Sequence, residues 1–342
     1  METICWKVDE GEQLQNHPYI IEAAKYLSHG KTVAFPTETV YGLGADATDE
    51  QAVQAIFDAK GRPADNPLIV HVGKRNVIEQ YVTAISAKAQ QLIDAFWPGA
   101  LTIILPSKGG LASNVTSGLT TVGVRMPDHP VALALLQEAA IPVAAPSANS
   151  SGKPSPTSHE HVLQDLNGKI NGVVDGGQTG VGVESTVIDC TLDVPMILRP
   201  GGVTQAEIEA VIGAVDLAPS LVKGDDAPRS PGMKYKHYAP DCPIWVVAGS
   251  SHDMREVIEQ QEFEGKRVGL MISDERAEEL GLPTDLNLGS RDNLTEVTRR
   301  LYHTLRKVDT LQYDVVLAES FSKEGIGEAL MNRLEKAATK II

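Results

Sequence analysis

Residues 31–72 read KTVAFPTETVYGLGADATDEQAVQAIFDAKGRPADNPLIVHV, and the fold class follows from the order of textures within them. Residues 31–36 form a short apolar run stopped by a proline, which reads as a strand. From Pro36 to Gly44 come hydroxyls, a carboxylate and two glycines, the makings of a strand-to-loop turn. Thr48 with Gln51 is a capping-box signal for a helix running to about residue 60. Residues 68–72 then return as a second strand. Strand, helix and strand in succession point to an α/β protein.

The same alternation continues outward. A helix from Ser86 is expected to stop at Trp97, because Pro98 and Gly99 cannot continue it. Strands are expected at 101–105, 122–126 and 143–145, with a helix around 131–140 capped by Asp128. Thr157 with Glu160, and Thr204 with Glu207, repeat the capping-box signal before two further helices. Strands near 172–174, 185–190 and 196–198 complete a first domain over residues 1–217. Several of these strands are apolar on both faces, so helices should cover both sides of the sheet.

Residues 218–242 change texture, with four prolines between 218 and 241 and little apolar periodicity. They read as a linker. Lys234, Tyr235, Lys236, His237 and Tyr238 sit together in it, and a plain spacer needs neither aromatics nor clustered cations. Beyond it, 244–247, 268–272 and 315–318 read as strands, and the stretches around 254–261, 294–311 and 329–340 as helices. Val297, Leu301 and Leu305 recur at fourfold spacing as one apolar stripe. Residues 243–342 are therefore expected to form a small parallel-sheet α/β domain.

A chain of 342 residues suits two domains, and 42% hydrophobic with 22% charged residues is ordinary globular composition. It has no run of about 18 apolar residues, so no membrane span is expected. The opening twenty residues lack the basic and apolar regions of a signal peptide. Cys5, Cys190 and Cys242 are odd in number and form no CxxC pair, which argues against a disulfide framework and fits a reducing, cytoplasmic location. Nine histidines show no clustering suited to a transition metal. A net charge of −15 would repel a nucleic-acid backbone at long range, so no stable nucleic-acid binding is expected.

Two phosphate-loop signals fail. His29-Gly30-Lys31-Thr32 ends like a P-loop, but position 25 is lysine and the Lys-Thr pair enters a strand. Residues 176–182, GGQTGVG, lack a following helix. Other segments are better suited to anions. Lys60 and Arg62 follow a helix in a loop stiffened by Pro63 and Pro67, where a solvated helix end is an equal reading. Arg125 closes an otherwise apolar strand, so it needs an anion, either an internal carboxylate or a ligand. Arg199, at a strand end before glycines, raises the same question. Residues 146–155, PSANSSGKPS, are dense in small donors and suit an anion nest, or else a serine-rich surface loop. Ser185 and Thr186 add a hydroxyl pair at a strand start.

Taken together, these segments resemble the YrdC-like domain of the threonylcarbamoyl-AMP synthase family, in its long form. The matching text is FPTETVYGLGA, KGRPADNPLIVHV, FWPGALTIIL, TVGVRMPDHP, PVAAPSANSSGKPSPT, GVESTVID and ILRPGG. The linker SPGMKYKHYAP and the late helix GIGEALMNRLEKAA resemble the long form specifically.

The resemblance implies a twisted mixed-sheet N-terminal domain with a concave site and a small Rossmann-like C-terminal domain. It implies that L-threonine, bicarbonate and ATP give threonylcarbamoyl-AMP and pyrophosphate, and that a separate transferase complex uses the product on the adenosine beside the anticodon of tRNA. By motif position, threonine would be held by Thr39, His71, Arg125, Ser185 and the backbone near Ala145. ATP would be held by Arg62, Asn66, Thr121, Ser147, Asn149, Ser155, Arg199 and Tyr235, and Lys60 and Arg62 would be catalytic. Mg2+ would accompany ATP, which would supply most of its ligands. Tyr235 and His237 would let the linker close over the loaded site. The rival readings are a carbamoyl-phosphate-dependent relative and an RNA-binding module of the same fold. The C-terminal domain could also be a structural or docking unit.

Overall fold

The computed structural model describes residues 2–9, 11, 13–218 and 238–342. They divide into two compact units. The first comprises the described residues within 1–151, 155–180 and 184–235; the second comprises those within 152–154, 181–183 and 236–342.

The first unit is built on a mixed sheet. Its strands are β1 (Ile4–Lys7), β2 (Val33–Phe35), β3 (Gly42–Asp46), β4 (Ile69–His71), β5 (Leu101–Pro106), β6 (Thr121–Arg125), β7 (Val143–Ala144), β8 (Gly172–Asp175), β9 (Thr186–Asp189), β10 (Met196–Arg199) and β11 (Asp216–Leu217). Their spatial order is β1-β8-β2-β3-β7-β4-β6-β5-β9-β10-β11. Alternation along each strand divides its side chains between two faces. Val33 and Phe35 join one apolar cluster with Trp6, Leu27 and Leu135, while Ala34 joins the other with Ile56, Leu92 and Leu101. Helices Pro18–Ser28 and Pro130–Ala139 supply the first cluster, and helices Glu50–Lys60 and Ala87–Phe96 the second. Helices thus cover both faces, as the apolar strands required.

Local signals differ from the structure at three caps. Asp49, not Thr48, caps the helix Glu50–Lys60, accepting from the N–H groups of Gln51 (2.8 Å) and Ala52 (3.2 Å). The Thr48 hydroxyl is spent on Asp46 (2.7 Å). His129, not Asp128, precedes the helix Pro130–Ala139, because Pro130 fits the first helical position, where a missing N–H costs nothing. Ser158 rather than Thr157 precedes the helix His159–Leu166, and the Thr157 N–H donates to His161 Nδ1 (3.2 Å). At Thr204 and Glu207 both capping-box bonds form.

The 36–44 turn also divides. Residues 36–41 make the loop, but Gly42–Asp46 is strand β3, antiparallel to β2 with Phe35 opposite Gly42. A Cβ on Gly44 would stand 2.8 Å from both Phe35 and Val143, so glycine lets β3 pack this closely.

The second unit holds a parallel sheet of β12 (Ile244–Val247), β13 (Val268–Met271), β14 (Val315–Glu319) and β15 (Lys340–Ile341), in the order β13-β14-β12-β15. The last helix ends at Ala337, and the Thr339 N–H donates to Ile244 O (2.8 Å), turning the chain into β15 where the sequence had suggested helix to 340. Helix Leu294–Val308 buries Val297, Leu301 and Leu305 as one stripe. A separate cluster of Val247, Met254, Ile258, Ile272 and Leu317 makes this unit's core. Among the described residues, no helix is long and apolar enough to cross a membrane.

Candidate active site

Strand β6, Thr-Val-Gly-Val-Arg, shows how the sequence builds the site. Val122 and Val124 enter the core, so Thr121, Gly123 and Arg125 share the opposite face. On that face Gly123 lies opposite Ile69, and Arg125 opposite His71 on β4. A small cavity there is lined by Ile69, Thr102, Ile104, Thr121, Gly123 and Val187.

Arg125 is 4% exposed, and its anion is internal. Nη2 lies 2.6 Å from Glu38 Oε1, Nη1 donates to Thr39 Oγ1 (3.0 Å), and Nε donates to Gly99 O (3.2 Å). The Thr37 and Thr39 hydroxyls are 2.8 Å apart, and Thr37 donates on to Val40 O (2.7 Å), which fixes the 36–41 loop against β6. His71 packs its ring edge on Phe35. Burial first, and the Arg125 cation second, push its imidazole down to about 3, so it is neutral at pH 7.

Ser185 accepts from Arg199 Nη2, at its carbonyl (2.9 Å) and its hydroxyl (3.3 Å), and shares a 2.8 Å bond with Thr102. Ser155 donates to Glu184 Oε1 (2.5 Å), and both are buried. Ala145 gives its N–H to Ile69 O (2.9 Å), so its carbonyl is the group it can offer a ligand.

The Lys60–Arg62 stretch is not a solvated helix end. Gly61 adopts φ 61°, a left-handed C-cap that turns the chain sharply. Lys60 is 4% exposed, and its ammonium donates to Ser147 O, Asn149 O and Asn149 Oδ1. Ser147 Oγ donates to Asn149 Oδ1 (2.6 Å), so lysine, serine and asparagine form one network. Arg62 is half-buried and bonds Asn66 O (3.2 Å) and Pro67 O (3.4 Å). The serine-rich loop and the residue after it pair with the 36–41 loop and the start of β3: Leu43 N–H reaches Pro146 O, Ala148 N–H reaches Tyr41 O, and Tyr41 N–H reaches Pro156 O.

Tyr235 and His237 lie outside the described residues, as does the rest of the 218–242 linker apart from 218 and 238–242. Tyr238 is buried in the second unit, its ring 5.3 Å from that of Tyr302 and under the Arg333 guanidinium. At the C-terminal ends of that unit's strands, Glu319 accepts from Ser273 (2.8 and 2.7 Å) and is ion-paired with Arg276 (3.4 Å) and Arg291 (3.5 Å). Sequence reasoning gave no role to Glu38, Glu184 or Thr102. Thr102 was detectable as the polar residue of LTIIL, on the face opposite Leu101 and Ile103.

Residues 25–201 match the Sua5/YciO/YrdC family model, described as "Telomere recombination". The chain belongs to this family. Residues 203–339 match a second model, "Threonylcarbamoyl-AMP synthase, C-terminal domain", so the chain has the long Sua5 form. A Bacillus subtilis (strain 168) protein named threonylcarbamoyl-AMP synthase is 50% identical over 340 residues, covering 99% of this chain and 98% of its own length. A protein of the same name from Pyrococcus abyssi (strain GE5 / Orsay) is 48% identical over 322 residues, with 92% and 93% covered. The crystal structure of P. abyssi Sua5 complexed with L-threonine superposes with a TM-score of 0.93 at 46% identity, covering 99% of each chain.

Proposed function

We propose that the first unit makes L-threonylcarbamoyl-AMP from L-threonine, bicarbonate and ATP, releasing pyrophosphate, for threonylcarbamoyladenosine modification of tRNA. The observation that carries this reading is one assembly of anion-binding groups on neighbouring strands and paired loops: Arg125 with Thr39 and neutral His71, Arg199 with Ser185, and Lys60 with Ser147 and Asn149. The likeness to a relative crystallised with L-threonine supports it.

The chemistry needs such a set. The threonine amine and bicarbonate condense to a carbamate with loss of water. A carbamate oxygen then attacks the α-phosphorus of ATP, and pyrophosphate leaves. Every reactant carries negative charge, so Arg62, Arg125 and Arg199 reduce the repulsion while the loops position the groups. Lys60 donates to the 147–149 loop, holding the serine and asparagine in place for the nucleotide, and its cation would stand close to the phosphates. Asn66, whose carbonyl Arg62 bonds, Thr121, which lines the small cavity with Thr102, and Ser155, held by Glu184, would be further nucleotide contacts.

Mg2+ would enter with the phosphates and neutralise part of their charge. Among the described residues, no cluster of three or more histidine, cysteine, aspartate or glutamate side chains could hold it alone, so ATP would supply most of its ligands. The product would pass to a downstream tRNA threonylcarbamoyl transferase complex, and cytoplasmic location belongs to the same reading.

The test is pyrophosphate release from ATP by purified protein, with threonine and bicarbonate omitted in turn and the adenylate identified by mass. Release that needs both and yields threonylcarbamoyl-AMP supports the reading. Release without threonine would assign another acceptor, and no release would return the RNA-binding reading to the front.

A further inference from the structure

Glu38 is the one carboxylate paired with Arg125 among the described residues, and its hydrogen-bonding capacity is unfilled. Oε1 lies 2.6 Å from Nη2 of the guanidinium as an ion pair, and neither Oε1 nor Oε2, both buried, accepts a hydrogen bond. A carboxylate oxygen buried without a donor is costly, so this position is completed by a donor from outside the chain. Arg125 is also incompletely used. Of the five N–H groups of a guanidinium, one on Nε donates to Gly99 and one on Nη1 to Thr39, while Nη2, ion-paired with Glu38, donates no hydrogen bond, so N–H groups are left for an incoming carboxylate.

An unfilled acceptor and unfilled donors on one ion pair match the two ends of an α-amino acid, whose carboxylate and ammonium sit on a single carbon. The carboxylate suits the free edge of Arg125, and the ammonium suits Glu38 Oε2. His71, held neutral beside them, neither repels the ammonium nor claims Glu38.

We propose that Glu38 is the residue that binds the substrate amine and takes its proton. This rests on the threonine reading above and deepens it. The ammonium cannot attack carbon until it gives up a proton. Glu38 accepts that proton, leaving R–NH2 and a neutral carboxylic acid. The amine lone pair then forms the N–C bond to bicarbonate and one C–O bond breaks. The departing hydroxyl takes the second amine proton, so carbamate and water result, and the proton on Glu38 passes to water that enters the site as the products leave. Glu38 therefore touches the reacting nitrogen, while Arg125 holds the other end of the molecule.

The experiment separates this role from simple support of Arg125. L-threonine and its 2-hydroxy analogue, 2,3-dihydroxybutanoate of matching configuration, are titrated calorimetrically into wild type and Glu38→Gln. The analogue keeps the carboxylate and the β-hydroxyl but carries no ammonium. Wild type should favour threonine by about tenfold or more, the worth of one charge-assisted hydrogen bond. Glu38→Gln should lose that preference while binding the analogue within about twofold of wild type, which also shows that the variant is folded. Equal loss of both ligands in Glu38→Gln would mean that Glu38 only positions Arg125, and would overturn the proposal. Equal affinity of wild type for the two ligands overturns it without any variant. Wild type that binds neither ligand removes the threonine reading itself, a different result from either of these.

Discussion

His71 carries the clearest pH signature of any single residue. Its imidazole is neutral in the folded chain down to about 3, against 6.5 for the ordinary group, because it is buried and faces Arg125. Between those values the unfolded chain binds a proton that the folded chain refuses. Stability is therefore lost as pH falls below 6.5, at up to about 1.4 kcal/mol per pH unit. Urea unfolding at several pH values between 5 and 7 should show wild type losing stability more steeply than His71→Gln. Equal slopes would mean that the folded state protonates His71. The sequence marked His71 and Arg125 as separate candidates, and the parallel register of β4 and β6 makes them neighbours. That pairing was hidden because their spacing along the chain says nothing about which strands lie side by side.

At the scale of elements, the helix Glu50–Lys60 was legible in its extent but not in its cap. The motif Thr-Asp-Glu-Gln offers two capping residues in a row, and the Asp46 carboxylate claims the Thr48 hydroxyl, so Asp49 takes the role. Asp49→Ala should cost about 1 kcal/mol and Thr48→Ala within about 0.5 kcal/mol by thermal or chemical unfolding. The reverse ranking would restore Thr48 as the cap. Helix Pro18–Ser28 escaped the sequence reading because it starts at His17 and Pro18, with no serine, threonine or aspartate at its cap. Strand β3 reads in the sequence as part of a turn because two of its residues are glycines, which have poor intrinsic strand preference. Packing overrides that preference: only a glycine at position 44 lets Phe35 and Val143 close over the strand.

For the molecule as a whole, each unit keeps its own core, and this has a consequence for unfolding. Leu317 is fully buried in β14 of the second unit. Leu317→Ala should destabilise that unit by about 2–5 kcal/mol, through lost transfer energy and the cavity left behind. Scanning calorimetry should then show the second unit's transition at lower temperature with the first unit's unchanged. A joint shift of both would mean that the two unfold as one cooperative block.

Strand and helix order, the positions of most elements and the motifs of the family were all fixed locally, by apolar period, prolines, glycines and caps. The candidate anion-binding residues were also legible, since a charge in an apolar strand has to be answered by something. Which group answers it was a tertiary matter. Arg125 finds Glu38 across 87 positions of chain, Lys60 finds the 147–149 loop, and Ser155 finds Glu184. Such choices rest on strand register and on burial, which sets how costly an unmet charge is. Neither quantity is written in the spacing of residues along a single strand or helix.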